Sequence, residues 1–266
     1  MDAQRGTSLQ VSWILRIGIA MEFIGHGALG LLRTAAWTPY FAALGVPRET
    51  ALSLMPFIGA IDVALGLAVL LYPMRAALLY MALWGLATAV MRPLAGESAW
   101  EAVERAGNIG AAAALFLMAT GSGMGSWFCA AGFDTPKGGP SGLASWVLRL
   151  TTAGLLLGHG ALGLLEHKAM LSSQYAAVGL QGSWAEPMIG GFECALALAV
   201  LARPAFGLLV FVFAWKLATE ALSPMAGSSI WVFVEHGGSY AAPLALALLS
   251  RRTGEAVSAP LGGSPA

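Results

Sequence analysis

An all-α membrane bundle of about eight spans, arranged as two parallel four-helix repeats, is the fold the sequence predicts. Two observations carry that expectation. The first is composition: 58% of the 266 residues are apolar and 11% are charged, against about 25% charged in an ordinary soluble domain. The mean hydropathy is +0.73. Apolar runs near the ~20 residues needed to cross a bilayer fall at about 12–32, 52–72, 75–92, 102–121, 144–165, 186–202, 204–222 and 230–250. The second observation is an internal repeat. Gly25-His26-Gly27-Ala28-Leu29-Gly30-Leu31-Leu32 returns letter for letter as Gly158-His159-Gly160-Ala161-Leu162-Gly163-Leu164-Leu165. The order of later matches is kept: Pro56 to Asp62 answers to Pro187 to Glu193, Trp84 and Thr88 to Trp215 and Thr219, Trp100 and Glu104 to Trp231 and Glu235. A tandem duplication leaves this signature.

Taken in order, the first run carries Arg16, Glu22 and His26, so it is expected to remain as a membrane helix and not to be a cleaved leader. Between the first two spans of each half, Tyr40 to Gly45 parallels Gln174 to Gly179, and both read as short amphipathic segments at the outer interface. Four spans per half give both halves the same orientation, a parallel repeat about an axis along the membrane normal. The domains expected are 1–120, a cytoplasmic linker 121–141 rich in Gly, Ser and Pro, 142–250, and a disordered tail 251–266. Arg5, Arg16, Arg75, Lys137, Arg149, Arg203, Arg251 and Arg252 gather on the side of the termini, which places both termini in the cytoplasm of an inner-membrane protein. Net charge is zero, which gives nucleic acid no electrostatic hold. The lipid bilayer is the expected partner, with a membrane or soluble subunit as a further one. Cys129 and Cys194 make neither a disulfide framework nor a metal spacing.

Polar groups inside apolar runs need a reason, because a charge at mid-bilayer costs at least about 2.5–3.5 kcal/mol. In the first half these are Glu22, His26, Asp62, Thr88, Arg92, Glu104 and Asn108, with Arg105 beside them. Glu22 and His26, Thr88 and Arg92, and Glu104 and Asn108 are each four residues apart and share a helix face. At 1.5 Å per residue, His26 lies roughly 9 Å below the outer helix end. The second half repeats the plan with His159, Glu193, Lys216, Thr219, Glu220, Glu235 and His236. One polar wedge, open to the non-cytoplasmic side, would contain all those of the first half. A purely structural buried network is the competing reading; Trp84 and Trp215 read as packing residues.

Each half resembles the DoxX-like family of four-helix membrane proteins. The resemblance rests on Tyr40-Phe41…Leu44-Gly45-Val46-Pro47, on Pro56…Gly59-Ala60-Ile61-Asp62…Leu65-Gly66-Leu67, and on Pro73-Met74-Arg75-Ala76-Ala77. Members typically carry a Glu in the second span, which Glu193 matches and Asp62 approaches with one methylene fewer. The resemblance implies a four-helix membrane unit and, through one member, a link to quinone oxidation. Quinone-linked redox work at the cavity, transport of a small solute, and a non-catalytic scaffold therefore all stand as function classes. No catalytic residue is assigned and no metal ligand set is recognised. Equivalent His26 and His159 could in principle ligate a haem, but no further feature supports one.

Overall fold

The computed structural model describes residues 2–121, 123–134 and 142–258. It is a helical bundle. The first half comprises α1 (Asp2–Leu31), α2 (Thr38–Ala43), α3 (Arg48–Leu71), α4 (Arg75–Leu94), α5 (Ala99–Glu104) and α6 (Ala106–Met118). The second comprises α7 (Leu143–Leu164), α8 (Ala169–Ala176), α9 (Ala185–Ala202), α10 (Phe206–Met225), α11 (Ile230–Glu235) and α12 (Gly237–Ser258). Among the described residues, seven helical stretches are long and apolar enough to cross a membrane, and the chain is a multi-pass membrane protein.

The fourth apolar run differs from the expected single span. It is broken at Arg105, where α5 ends and α6 begins, and neither piece is long enough to cross alone. The counterpart in the second half breaks at His236, between α11 and α12. Both residues have nearly the same backbone, φ −77° and ψ 11° at Arg105 and φ −88° and ψ 16° at His236. Each short first piece is capped alike, by Ser98 accepting from the Trp100 amide and Ser229 from the Trp231 amide. An apolar count does not register such a break, because Glu104-Arg105 and Glu235-His236 each sit inside a run that stays apolar on average.

α1, α7 and α12 occupy the middle, and α3, α4, α9 and α10 lie outside, with Phe57, Leu71, Leu83, Met188 and Leu198 turned outward toward where lipid would be. The core between them is built from Leu15, Ile19, Leu115, Leu148, Leu155, Leu156 and Ala245. Small residues set the approach of the helices, as packing in lipid favours. A side chain on Gly27 would meet the Gly59 carbonyl at 2.6 Å, and one on Gly160 would meet the Gly190 carbonyl at 2.6 Å. Contacts across the halves are reciprocal. Gly25 on α1 presses on the backbone of Glu235, and Gly158 on α7 presses on the backbone of Glu104. Arg16 Nε donates to the Val69 carbonyl at 2.9 Å, and Arg149 Nε donates to the Val200 carbonyl at 3.1 Å. Each arginine also reaches the next carbonyl, Leu70 or Leu201, so a cation closes the C-terminal end of α3 and of α9.

The segments expected to be irregular are partly ordered. After α6 the chain forms a two-stranded ribbon, β1 (Ala119–Thr120) with β2 (Gly132–Phe133), around a 3₁₀ turn at Met124–Trp127. Arg75 lies over the Trp127 ring and donates to the Gly121 carbonyl, tying this ribbon to α4. α12 continues to Ser258, past the residue where the tail was expected to begin; the rest of that tail, and of the linker from 135 to 141, lies outside the described residues. The two amphipathic segments are the helices α2 and α8.

Candidate functional site

A helix carrying a histidine and a neighbouring helix carrying an acid form the same pair in both halves. His26 Nδ1 on α1 lies 2.8 Å from Asp62 Oδ2 on α3. His159 Nδ1 on α7 lies 2.5 Å from Glu193 Oε2 on α9. Spacing of the repeat places both acids one helix away from their histidines, and close Gly–Gly packing of α1 on α3 and α7 on α9 brings them into range. Each acid is buried.

Beyond this pair the halves diverge. In the second half Trp215 Nε1 donates to Glu193 Oε1 at 2.8 Å, so both carboxylate oxygens are bonded. Asp62 is one methylene shorter, and there the equivalent atoms, Trp84 Nε1 and Asp62 Oδ1, are buried without partners. Where the first half has Gly85 and Ala89, the second has Lys216 and Glu220, paired at 2.6 Å and fully inside the protein. Both side chains are buried. In the first half Ala89 instead borders a cavity of about 320 Å³.

The cavity wall is largely aromatic and apolar. Trp37, Tyr40 and Phe41 come from the α2 region, Met55 and Ile58 from α3, and Trp84 and Met91 from α4. His26 stacks on Trp37, with ring centres 4.4 Å apart and planes at 25°. Polar groups enter from His26, Thr88, Arg92, Arg105, Asn108 and Glu235. Asn108 Oδ1 is buried with no partner. Thr88 spends its hydroxyl proton on the Gly85 carbonyl at 3.0 Å.

Over the cavity, α2 is latched to the bundle. The Tyr40 hydroxyl donates to Glu97 Oε1 at 2.6 Å, and Arg92 donates to Glu97 at 2.9 Å and to Glu101 at 3.1 Å. Lys168 from the second half pairs with Glu101, and Ser98 donates to Glu166. Burial, with Glu97 beside it, pushes the Tyr40 phenol up to about 12. Burial would raise the Glu97 carboxyl, but the Tyr40 hydroxyl and the Arg92 guanidinium outweigh it and hold it below the usual carboxylate range. Burial and nearby Arg92 lower the Lys168 ammonium. A carboxyl depressed in this way keeps its pairing through neutral and mildly acidic pH, and loses it only as pH falls through the lowered value. Tyr40→Phe is therefore expected to loosen α2 at every pH. Glu97→Gln, which removes the charge Arg92 pairs with, should release it equally at pH 5 and pH 7. Hydrogen exchange of the α2 amides measures both; an α2 unchanged in both variants would show that these bonds do not hold it.

Beneath the cavity lies a charged seam between the halves. Arg105 donates to Glu235 at 3.0 Å and lies 3.5 Å from Glu104. His236 faces Glu104 at 3.6 Å and Glu220 at 3.5 Å, while its Nδ1 bonds the Val232 carbonyl at 2.7 Å. One donor atom from each of Glu104, Glu220 and His236 falls within 4.8 Å of the others. Lys216 and Arg105 already place positive charge on those acids, so the protein supplies their counter-ions itself. Glu22 is buried beside this seam, and its Oε2 has no hydrogen-bond partner.

The sequence candidates thus fall in three places, and the first-half set expected in one wedge divides between the cavity and the seam. His26, Thr88, Arg92, Asn108 and Glu235 line the cavity, with Asp62 behind His26. Glu104, Lys216, Glu220 and His236 form the seam, and Glu22 adjoins it. His159, Glu193 and Thr219 belong to the second half, the Thr219 hydroxyl bonding its own helix backbone at Lys216. Trp84, Trp215, Tyr40, Glu97 and Glu101 have roles that sequence reasoning missed. The retained Trp84/Trp215 match was a signal for the first two, whereas the latch joins residues remote in sequence. Comparison of the chain with protein-family models, with curated proteins and with solved structures gives no match.

Proposed function

We propose that the first half binds one flat, ring-shaped ligand of the quinone class, and that the chain acts as the membrane subunit of a quinone-linked system. The observation that carries this reading is the contrast between the halves. The same His–acid–Trp set is closed on itself beside Lys216 and Glu220, yet it stands with unpartnered atoms at an aromatic cavity in the first half. A volume of about 320 Å³ lies within the range of small-molecule pockets. Stacked His26 and Trp37 form a wall suited to a ring, and Met55 and Met91 give it an adaptable apolar side. A quinone would supply the electron-accepting chemistry; His26, whose Nδ1 is committed to Asp62, turns Nε2 to the ring oxygen, as acceptor from a hydroquinone hydroxyl or, in the doubly protonated form, as donor to a quinone carbonyl.

This reading joins two others. Each half is a DoxX-like unit, and the chain sits in an inner membrane with both termini cytoplasmic and the cavity facing outward. In a background lacking Cys129 and Cys194, Ala169→Cys is expected to react with an impermeant thiol reagent in intact cells, and Thr135→Cys and Ser258→Cys only after lysis. The reverse pattern would turn the cavity to the cytoplasm. For the ligand itself, equilibrium dialysis of tetramethylbenzoquinone and its hydroquinone against detergent-purified protein is the test. Saturable binding that is lost in Ala89→Leu, where the added side chain enters the cavity, supports the reading. Binding of neither form, or binding indifferent to Ala89→Leu, removes it.

A further inference from the structure

We infer that α2 is a reversible lid over the first-half cavity, the door through which its ligand enters and leaves, and that the Tyr40–Glu97–Arg92 latch sets how often it opens. The inference rests on the ligand reading above and adds the route of exchange. Trp37, Tyr40, Phe41 and Leu44 supply one wall of the cavity, and all four lie in or beside this one short helix. None of the α2 residues is buried. A left-handed residue stands on each side of the segment, Arg33 at φ 53° and Gly45 at φ 75°.

The second half holds the same segment in another way. His167 at φ 46° and Gly179 at φ 81° flank α8, a register that sets Tyr175 against Phe41 and Gln174 against Tyr40. On α8, Leu171, Gln174 and Tyr175 are buried. Tyr175 belongs to an apolar cluster against which Ile189 and Leu222 pack, and these two are the counterparts of Ile58 and Met91 in the cavity wall. The latch is missing there. The matches of Gly96 with Gly227 and Trp100 with Trp231 set Ser228 against Glu97, and the same register sets Ser223 against Arg92 and Val232 against Glu101. One half thus has a cover seated by packing and no latch. The other has a cavity under a cover that is latched and has no buried side chain. The Glu97 side chain is 35% exposed, so water takes over the latch bonds as they break, whereas a buried tyrosine leaving its seat gives up its apolar burial. Lys168 of the second half pairs with Glu101 and keeps the anchor in place while α2 moves. A latched cover opens and recloses; a packed one stays shut.

The test follows tetramethylbenzoquinone binding to the detergent-purified chain by stopped flow, read as quenching of tryptophan fluorescence, in the wild type and in Glu97→Ala. Glu97 accepts from both Tyr40 and Arg92 and does not line the cavity, so the substitution breaks the latch and leaves the wall intact. In the wild type the binding rate should level off at high probe concentration, at the rate of lid opening. In Glu97→Ala that limiting rate and the dissociation rate should both rise about ten- to a hundred-fold, the worth of a hydrogen bond to a charged group. Unchanged rates would overturn the lid. Faster dissociation with unchanged association would overturn it too, because Glu97 would then steady the bound ligand without gating its entry. Absence of binding in the wild type would remove the ligand reading, and hydrogen exchange then decides the lid alone. The α2 amides should exchange faster than those of α8, and Glu97→Ala should speed α2 only. Equal exchange in α2 and α8 would overturn the lid whether or not the probe binds.

Discussion

Replacing Arg105 with Met is expected to destabilise the bundle by about 3–5 kcal/mol, the cost of leaving buried carboxylates without their cation. Arg105 holds Glu235 at 3.0 Å and faces Glu104 at 3.5 Å, and both acids are buried. Removing the guanidinium leaves two acids from opposite halves facing each other across the central seam. Arg105→His, the residue that the second half uses at the equivalent break, should cost less because it preserves a donor and can carry charge. Thermal unfolding in detergent measures both. A melting temperature unaltered in Arg105→Met would mean that Glu104 and Glu235 do not depend on this cation. Conversely, Glu235→Gln in the Arg105→Met background should recover part of the loss, since neutralising one acid removes the repulsion.

Adding a methyl group at Gly25 or Gly158 is expected to be the next most damaging change. A Cβ on Gly25 would run into the backbone nitrogen of Glu235, and one on Gly158 into that of Glu104; backbone cannot swing aside as a side-chain tip can. Each substitution forces a central helix of one half away from the broken helix of the other, an overpacking cost of about 1–3 kcal/mol. Gly191→Ala and Gly207→Ala are the controls. Nothing stands within 4 Å of a Cβ at either site, and removing a mid-helix glycine such as Gly191 stabilises by about 0.5–1 kcal/mol. Comparing the four variants by detergent melting separates close approach from the general effect of losing glycine. Equal behaviour in all four would deny that Gly25 and Gly158 set the distance between the halves.

Much of this was legible in the sequence, for physical reasons that differ from residue to residue. His26 and His159 drew attention because a polar side chain in an apolar run is costly, and the exact repeat around them showed that the cost recurs at one place in the fold. Their partners, Asp62 and Glu193, were legible for the same reason. The i, i+4 spacing of Lys216 and Glu220 announced an ion pair, and the pair is present at 2.6 Å. Its burial was not legible: that both charges lie inside the protein depends on which way α10 turns that face, a matter of packing. The break at Arg105 escaped detection because the run stays apolar on average across Glu104 and Arg105, and α6 begins there without a side-chain cap that a sequence pattern could show. Tyr40 meets Glu97 across 57 positions of sequence, a contact no local pattern encodes. The missing methylene at Asp62 was visible in the sequence, but its meaning needed the Trp215–Glu193 bond to compare it with.

The central claim is that a duplicated bundle has kept one open site and closed the other. Ligand stoichiometry tests it most directly. Saturation binding of tetramethylhydroquinone to the purified chain should reach one molecule per chain, fall to none in Ala89→Leu, and remain at one in Glu193→Gln, which alters only the second half. Two molecules per chain would contradict the claim by showing both halves open. One molecule per chain that survives Ala89→Leu and disappears in Glu193→Gln would contradict it too, by placing the site in the other half.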